Sequence, residues 1–124
     1  MLCQRGNYSE AYAAGELKHG TISLITDGVP VIAIITDASL SEKTVSGIRE
    51  VRSRGAKLLA VVGSDIAAGN DVPCDDIIEI PHLENGLTLF PAVTFLQLFA
   101  YHAAAIRGLD VDKPRNLAKS VTVE

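Results

Sequence analysis

Residues 30–35 read Pro-Val-Ile-Ala-Ile-Ile, an unbroken apolar run in which Val31, Ile32, Ile34 and Ile35 are β-branched. A strand with one wet face alternates apolar and polar residues, whereas a run without alternation needs cover on both faces. Lys57-Leu58-Leu59-Ala60-Val61-Val62-Gly63 repeats the pattern, and Ile77-Ile78-Glu79-Ile80 gives a shorter version closed by Pro81. Between the first two runs, Ser39-Leu40-Ser41-Glu42 has the form of a helix-opening capping box. Val45, Ile48 and Val51 follow at helical spacing before Arg52, Arg54 and Gly55 close the helix. Strand, helix, strand, loop, strand, helix is the alternation of an α/β domain around a parallel sheet.

The flanks are less regular. Ser9 is placed to cap a helix over residues 9–19, which Lys18, His19 and Gly20 would end, although Gly15 weakens it. Residues 21–25 offer a possible fourth strand before the Thr26-Asp27-Gly28 turn. Residues 64–76 read as a loop. Residues 87–106 carry no charge and are long enough to cross a bilayer. Thr94, Gln97 and Tyr101 fall on one narrow stripe of that helix, so it reads as buried in a protein core or at a subunit interface rather than in lipid. It stops at Gly108, and residues 109–124 form a tail with no sustained period.

Composition limits the functions open to such a chain. Its 124 residues are 48% hydrophobic and 21% charged, which suits one soluble domain. Eleven Lys and Arg against fifteen Asp and Glu give a net charge of −4, leaving no basic face for nucleic acid. Cys3 and Cys74 have neither disulfide-framework nor zinc-ligand spacing, which fits a reducing cytoplasm. No secretory h-region opens the chain.

Motif chemistry is sparse. There is no Gly-x-Gly-x-x-Gly, no Gly-Lys-Ser/Thr loop and no Gly-x-Ser-x-Gly elbow. Gly63-Ser64-Asp65 lies at the carboxyl end of a parallel strand, where open α/β sheets bind ligands, but reads first as a strand-ending turn. Asp75-Asp76 reads as a solvated pair, His82 as a polar loop residue and His102 as a satisfied core or interface histidine. Glu16-Leu17-Lys18-His19-Gly20 gathers a carboxylate, an ammonium and an imidazole where helix capping alone would explain them. From spacing alone, the tail is ordinary solvated chain.

Two of these segments carry a resemblance. Glu10-Ala11-Tyr12-Ala13-Ala14-Gly15-Glu16-Leu17-Lys18-His19-Gly20 and Pro114-Arg115-Asn116-Leu117-Ala118-Lys119-Ser120-Val121-Thr122-Val123-Glu124 resemble two motifs of the glutamine–fructose-6-phosphate aminotransferase (isomerizing), or glucosamine-6-phosphate synthase, family. The match runs in order from about Ser9 to Glu124 and includes Asp110-Val111-Asp112. The resemblance implies the second sugar-isomerase (SIS) subdomain, an αβα sandwich around a small parallel sheet that is incomplete at its N-terminal edge. It covers the chain as a single subdomain, with residues 1–8 unplaced. It implies hexosamine biosynthesis: conversion of fructose 6-phosphate and glutamine to glucosamine 6-phosphate in a cytoplasmic homodimer, with no cofactor or metal and no nucleic-acid or membrane partner. His19 then matches the histidine that helps open the sugar ring in the neighbouring subunit's site. Lys119 matches the tail lysine proposed to form a Schiff base at the sugar C2, and Ala118 contributes backbone at the sugar.

The departures from the family are specific. That family begins Met-Cys-Gly-Ile with a glutaminase domain, whereas this chain begins Met1-Leu2-Cys3-Gln4. The Ser/Thr-rich phosphate loop of the first SIS subdomain is missing, the isomerisation glutamate falls at Cys3, and the proline after Lys-His-Gly is Thr21. The expectation is therefore a C-terminal SIS fragment that is inactive alone. The alternatives are a stand-alone sugar-phosphate-binding or regulatory module and a non-catalytic dimerisation piece.

Overall fold

A computed structural model describes residues 2–5, 8–69 and 71–112, and the chain divides into two compact units, Met1–Ala92 and Val93–Glu124. The first unit is built on a five-stranded sheet. Its strands are β1 (Leu2–Arg5), β2 (Tyr8–Ala11), β3 (Pro30–Ile35), β4 (Lys57–Gly63) and β5 (Asp76–Ile80), in the order β2-β1-β3-β4-β5. Strands β3, β4 and β5 are parallel, with Val31 opposite Leu58 and Gly63 opposite Ile80. These are the three runs that the apolar pattern marks as strands.

Side chains alternate across the sheet, and one face collects Val31, Ala33 and Ile35 with Leu58, Ala60 and Val62. Against it lies helix α1 (Ser41–Ser53), whose Val45, Ile48 and Val51 project at helical spacing into the same core. Ile48 and Val51 are fully buried. The cap of this helix differs from the expected box. Asp37, not Ser39, is the acceptor, taking hydrogen bonds from the Ser39 amide at 2.8 Å and the Ser39 hydroxyl at 2.6 Å. A 3-10 turn over Ala38–Leu40 intervenes before α1; Asp37 caps that turn, two residues before the Ser39 of the sequence motif, and α1 itself has no side-chain cap.

The N-terminal region departs most from expectation. Residues 9–19 are not one helix: Tyr8–Ala11 is strand β2, and a 3-10 helix spans Ala14–His19. Ala13 offers no side-chain cap and Gly15 is a poor helix former, so sheet pairing wins for the first part. Residues 21–25 form a 3-10 helix, Thr21–Leu24, instead of a strand. The Ser23 amide and hydroxyl both donate to the Gly20 carbonyl, at 3.2 and 2.6 Å, which closes the turn locally. The sheet edge beside β3, expected to be open, is occupied by β1, which pairs antiparallel with β3 (Leu2 with Ile32, Cys3 with Val31) and with β2. Within residues 64–76 a short helix α2, Ser64–Ala67, follows β4 directly.

Helix α3 (Leu89–Ile106) begins in the first unit, where Ala92 is buried, and continues in the second. The expectation of burial does not hold within this chain. Leu98, Tyr101 and Ile106 are exposed, Ile106 at 87%, although Phe95 and Phe99 stack on each other at 6.1 Å. Gly108, at φ +66°, ends the helix with its amide bonded to the Ala105 carbonyl at 3.0 Å.

Candidate functional site at the carboxyl ends of β4 and β5

Parallel strands place their carboxyl ends together, and there the chain sets side chains that the core does not need. Strand β4 ends at Gly63 and turns at once into α2, which carries Ser64 and Asp65. Strand β5 ends at Ile80, and Pro81 passes the chain to His82. The registered pair Gly63 and Ile80 therefore brings the two exits side by side. The His82 amide donates to Ser64 Oγ at 3.2 Å, and its ring Nδ1 lies 3.1 Å from Asp65 Oδ1. Glu84 Oε1 stands 4.0 Å from the other ring nitrogen, Nε2. A Cβ at position 63 would meet Asp65 Oδ1 at 2.7 Å, so glycine leaves room for the carboxylate to fold back over the strand end.

Behind this cluster, Thr88 is buried and its hydroxyl both accepts from the Leu83 amide and donates to the Leu83 carbonyl, each at 2.9 Å. One side chain thus pins the residue next to His82 and satisfies both of its backbone groups. The result is an imidazole beside a carboxylate at the surface, with a hydroxyl and a second carboxylate near it. It suits hydrogen bonding to polar ligands. Among the described residues, no group of three or more His, Cys, Asp or Glu side chains could hold a metal ion.

The residues singled out in the sequence fare unevenly. His19 ends the 3-10 helix Ala14–His19, just before Gly20 at φ +128°. That helix packs on α1 through buried Leu17, where Gly47 allows close approach: a Cβ there would lie 3.5 Å from both the Ala14 carbonyl and Leu17 Cδ1. Nothing in the sequence pattern marked Gly47 for that role. The His19 side chain, Ala118 and Lys119 lie outside the described residues. Gly63-Ser64-Asp65 and His82, read separately as turn and loop residues, come together. Their meeting depends on strand register, which the sequence alone does not reveal.

Asp75 and Asp76 are not a working pair. Asp75 clamps the sheet, accepting from the Leu58 amide at 2.7 Å and facing Arg52 at 3.3 Å, whereas Asp76 begins β5. Cys74 is half-buried against the core, and that burial pushes its thiol above the ordinary cysteine value. His102 packs edge-on to Tyr101 at 5.4 Å in the second unit.

A family model described as "SIS domain" matches residues 4–107. The chain belongs to the SIS domain family. Over 94% of its length, this SIS chain is 56% identical to a glutamine–fructose-6-phosphate aminotransferase (isomerizing) of Symbiobacterium thermophilum. It is 50% identical to the enzyme of the same name from Escherichia coli and 46% to that from Thermus thermophilus, again over 94% of the chain. It spans only about a fifth (19%) of the length of each of these relatives. Among solved structures, the C-terminal domain of glucosamine-fructose-6-phosphate aminotransferase from Francisella tularensis superposes with a TM-score of 0.76. That match is at 33% identity and covers 82% of this chain and 29% of the other. The SIS chain thus corresponds to the C-terminal SIS part of these aminotransferases.

Proposed function

We propose that the chain is a sugar-phosphate-binding SIS module of the glucosamine-6-phosphate synthase type, working in the conversion of fructose 6-phosphate to glucosamine 6-phosphate. The observation that carries this reading is the 56% identity sustained over 94% of the chain. The Glu16-Leu17-Lys18-His19-Gly20 and Asn116-Leu117-Ala118-Lys119-Ser120 motifs agree with it. In this reading, His19 moves the ring-opening proton, since an imidazole titrates near neutrality. Lys119 supplies an amine that becomes nucleophilic toward the sugar C2 when desolvated, and Ala118 meets the sugar through its backbone. The working form is a cytoplasmic homodimer in which His19 serves the neighbouring subunit.

As a 124-residue polypeptide it is expected to bind the sugar phosphate without turning it over, because Cys3 stands where the family's isomerisation base falls. Calorimetric titration with fructose 6-phosphate and glucosamine 6-phosphate tests binding, and a product assay with glutamine or ammonia tests turnover. Saturable binding with product at background supports the proposal. Absence of binding to either sugar phosphate overturns the first half, and glucosamine 6-phosphate above a host-free background overturns the second.

A further inference from the structure

Asn85 is the only non-glycine among the described residues with a positive φ, at +58°, and Gly86 follows it at +77°. Both are exposed, in the turn that leads into α3. Two successive left-handed residues mark a type I′ turn, and the Leu87 amide closes it on the Glu84 carbonyl at 3.2 Å. Such a turn uses neither central amide. Among the described residues, the Gly86 amide and the Asn85 carboxamide make no hydrogen bond. A Cβ at position 86 would meet nothing within 4 Å, so the Asn85–Gly86 peptide stands clear of the rest of the fold. When the turn opens, Asn85 leaves a backbone region that side-chain-bearing residues rarely adopt, which favours opening.

An asparagine followed by glycine has no neighbouring side chain to keep the next amide nitrogen from its carboxamide. Asn7, Asn70 and Asn116 are followed instead by Tyr8, Asp71 and Leu117. We propose that Asn85–Gly86 is a self-modification site, at which the folded chain deamidates. The turn opens, and the Gly86 nitrogen gives up its proton to water or hydroxide and bonds to Asn85 Cγ. The Cγ–Nδ2 bond breaks, and Nδ2 takes up a proton and leaves as ammonia. Water then opens the cyclic imide: addition at Cγ gives aspartate, and addition at the Asn85 backbone carbonyl carbon gives isoaspartate. Nothing is oxidised or reduced. The aspartyl product sets a carboxylate just ahead of α3, where a helix N-terminus favours negative charge. Isoaspartate instead lengthens the loop that Thr88 closes onto Leu83. The site is independent of the sugar-phosphate reading.

The test incubates the 124-residue chain at neutral and mildly alkaline pH. Ammonia release, ion-exchange separation of the more acidic product and peptide mapping follow the reaction, and circular dichroism follows the fold. The Asn85 amide should be lost stoichiometrically from folded chain, while Asn7, Asn70 and Asn116 stay intact over the same interval. The rate should rise with pH, because the Gly86 nitrogen must lose its proton. Asn85→Gln keeps a carboxamide but enlarges the ring that has to close, and should abolish the early ammonia release. An Asn85 that keeps its amide overturns the proposal, as does conversion only after the circular dichroism signal of the fold is lost. Faster conversion of Asn7, Asn70 or Asn116, or ammonia release unchanged in Asn85→Gln, overturns it equally.

Discussion

Gly55 shows how tightly single residues are constrained. It ends α1 at φ +85°, and a Cβ there would come within 3.0 Å of the Asp27 backbone and closer still to its carboxylate. The close approach serves a purpose, since the Gly28 amide donates to the Gly55 carbonyl at 2.8 Å where β3 and β4 begin. Gly55→Ala should cost about 1–2 kcal/mol from the left-handed backbone alone, before any crowding of Asp27, as read by urea denaturation. Asp37 gives a prediction in pH. The Ser39 hydroxyl, and then its amide, hold the Asp37 carboxyl below the usual carboxylate range. A carboxyl depressed in the folded state stabilises above its unfolded value, and that contribution is lost as pH falls through the folded value. Asp37→Ala should therefore lower the melting temperature at neutral pH, and the gap from wild type should close in acid below about pH 4. Gly55 was legible as a helix stop. Asp37 was not, because the Ser39-to-Glu42 spacing is itself a good capping motif and only the intervening 3-10 turn moves the cap.

Elements with a strong intrinsic pattern emerge where the sequence places them. Strands β3, β4 and β5 and helices α1 and α3 each agree with their apolar period to within a residue or two. What the pattern could not supply is pairing. β2 looked helical because Ser9 could cap a helix that Lys18, His19 and Gly20 would end, and it is a strand because β1 lies beside it. The Ser64–Asp65–His82 cluster was hidden for the same reason: its parts are separated along the chain and joined only by the β4–β5 register. Asp75 provides an experiment at this scale, because it fixes the entrance to β5 against β4. Its amide donates to the Leu58 carbonyl at 2.9 Å and its carboxylate accepts from the Leu58 amide. Asp75→Ala strands that amide of a buried residue and should cost roughly 1–3 kcal/mol. Arg52→Ala removes only a solvent-exposed ion pair and should cost about 1 kcal/mol or less. Asp75→Asn keeps an acceptor for Leu58 and should resemble Arg52→Ala. Equal losses for Asp75→Ala and Arg52→Ala in chemical denaturation would show that the charge, not the backbone contact, holds the clamp.

At the scale of the whole molecule, helix α3 governs behaviour in solution. It is long and apolar enough to cross a membrane, and only 6% of its most apolar window is buried within this chain. Leu89, Phe90, Val93, Leu98 and Ile106 present large apolar side chains at the surface. An apolar helix face of that extent is costly to leave in water and marks an interaction surface. The stripe of Thr94, Gln97 and Tyr101 interrupts the apolar girdle, and polar side chains facing lipid are unfavourable, so protein is the better cover. In the homodimer proposed above, a second copy of the chain would supply that cover. The chain should therefore sediment as a dimer or larger species, with the monomer appearing only on dilution. Leu98→Glu and Ile106→Glu lie on one side of the helix, eight residues apart, and glutamate keeps its helical propensity. Together they should raise the monomer fraction at a given concentration while leaving the first unit's sheet intact by circular dichroism. A wild-type chain that stays monomeric across the concentration range would refute self-association through α3. Partition into liposomes in preference to self-association would show that lipid, despite the polar stripe, is what this face was built to meet.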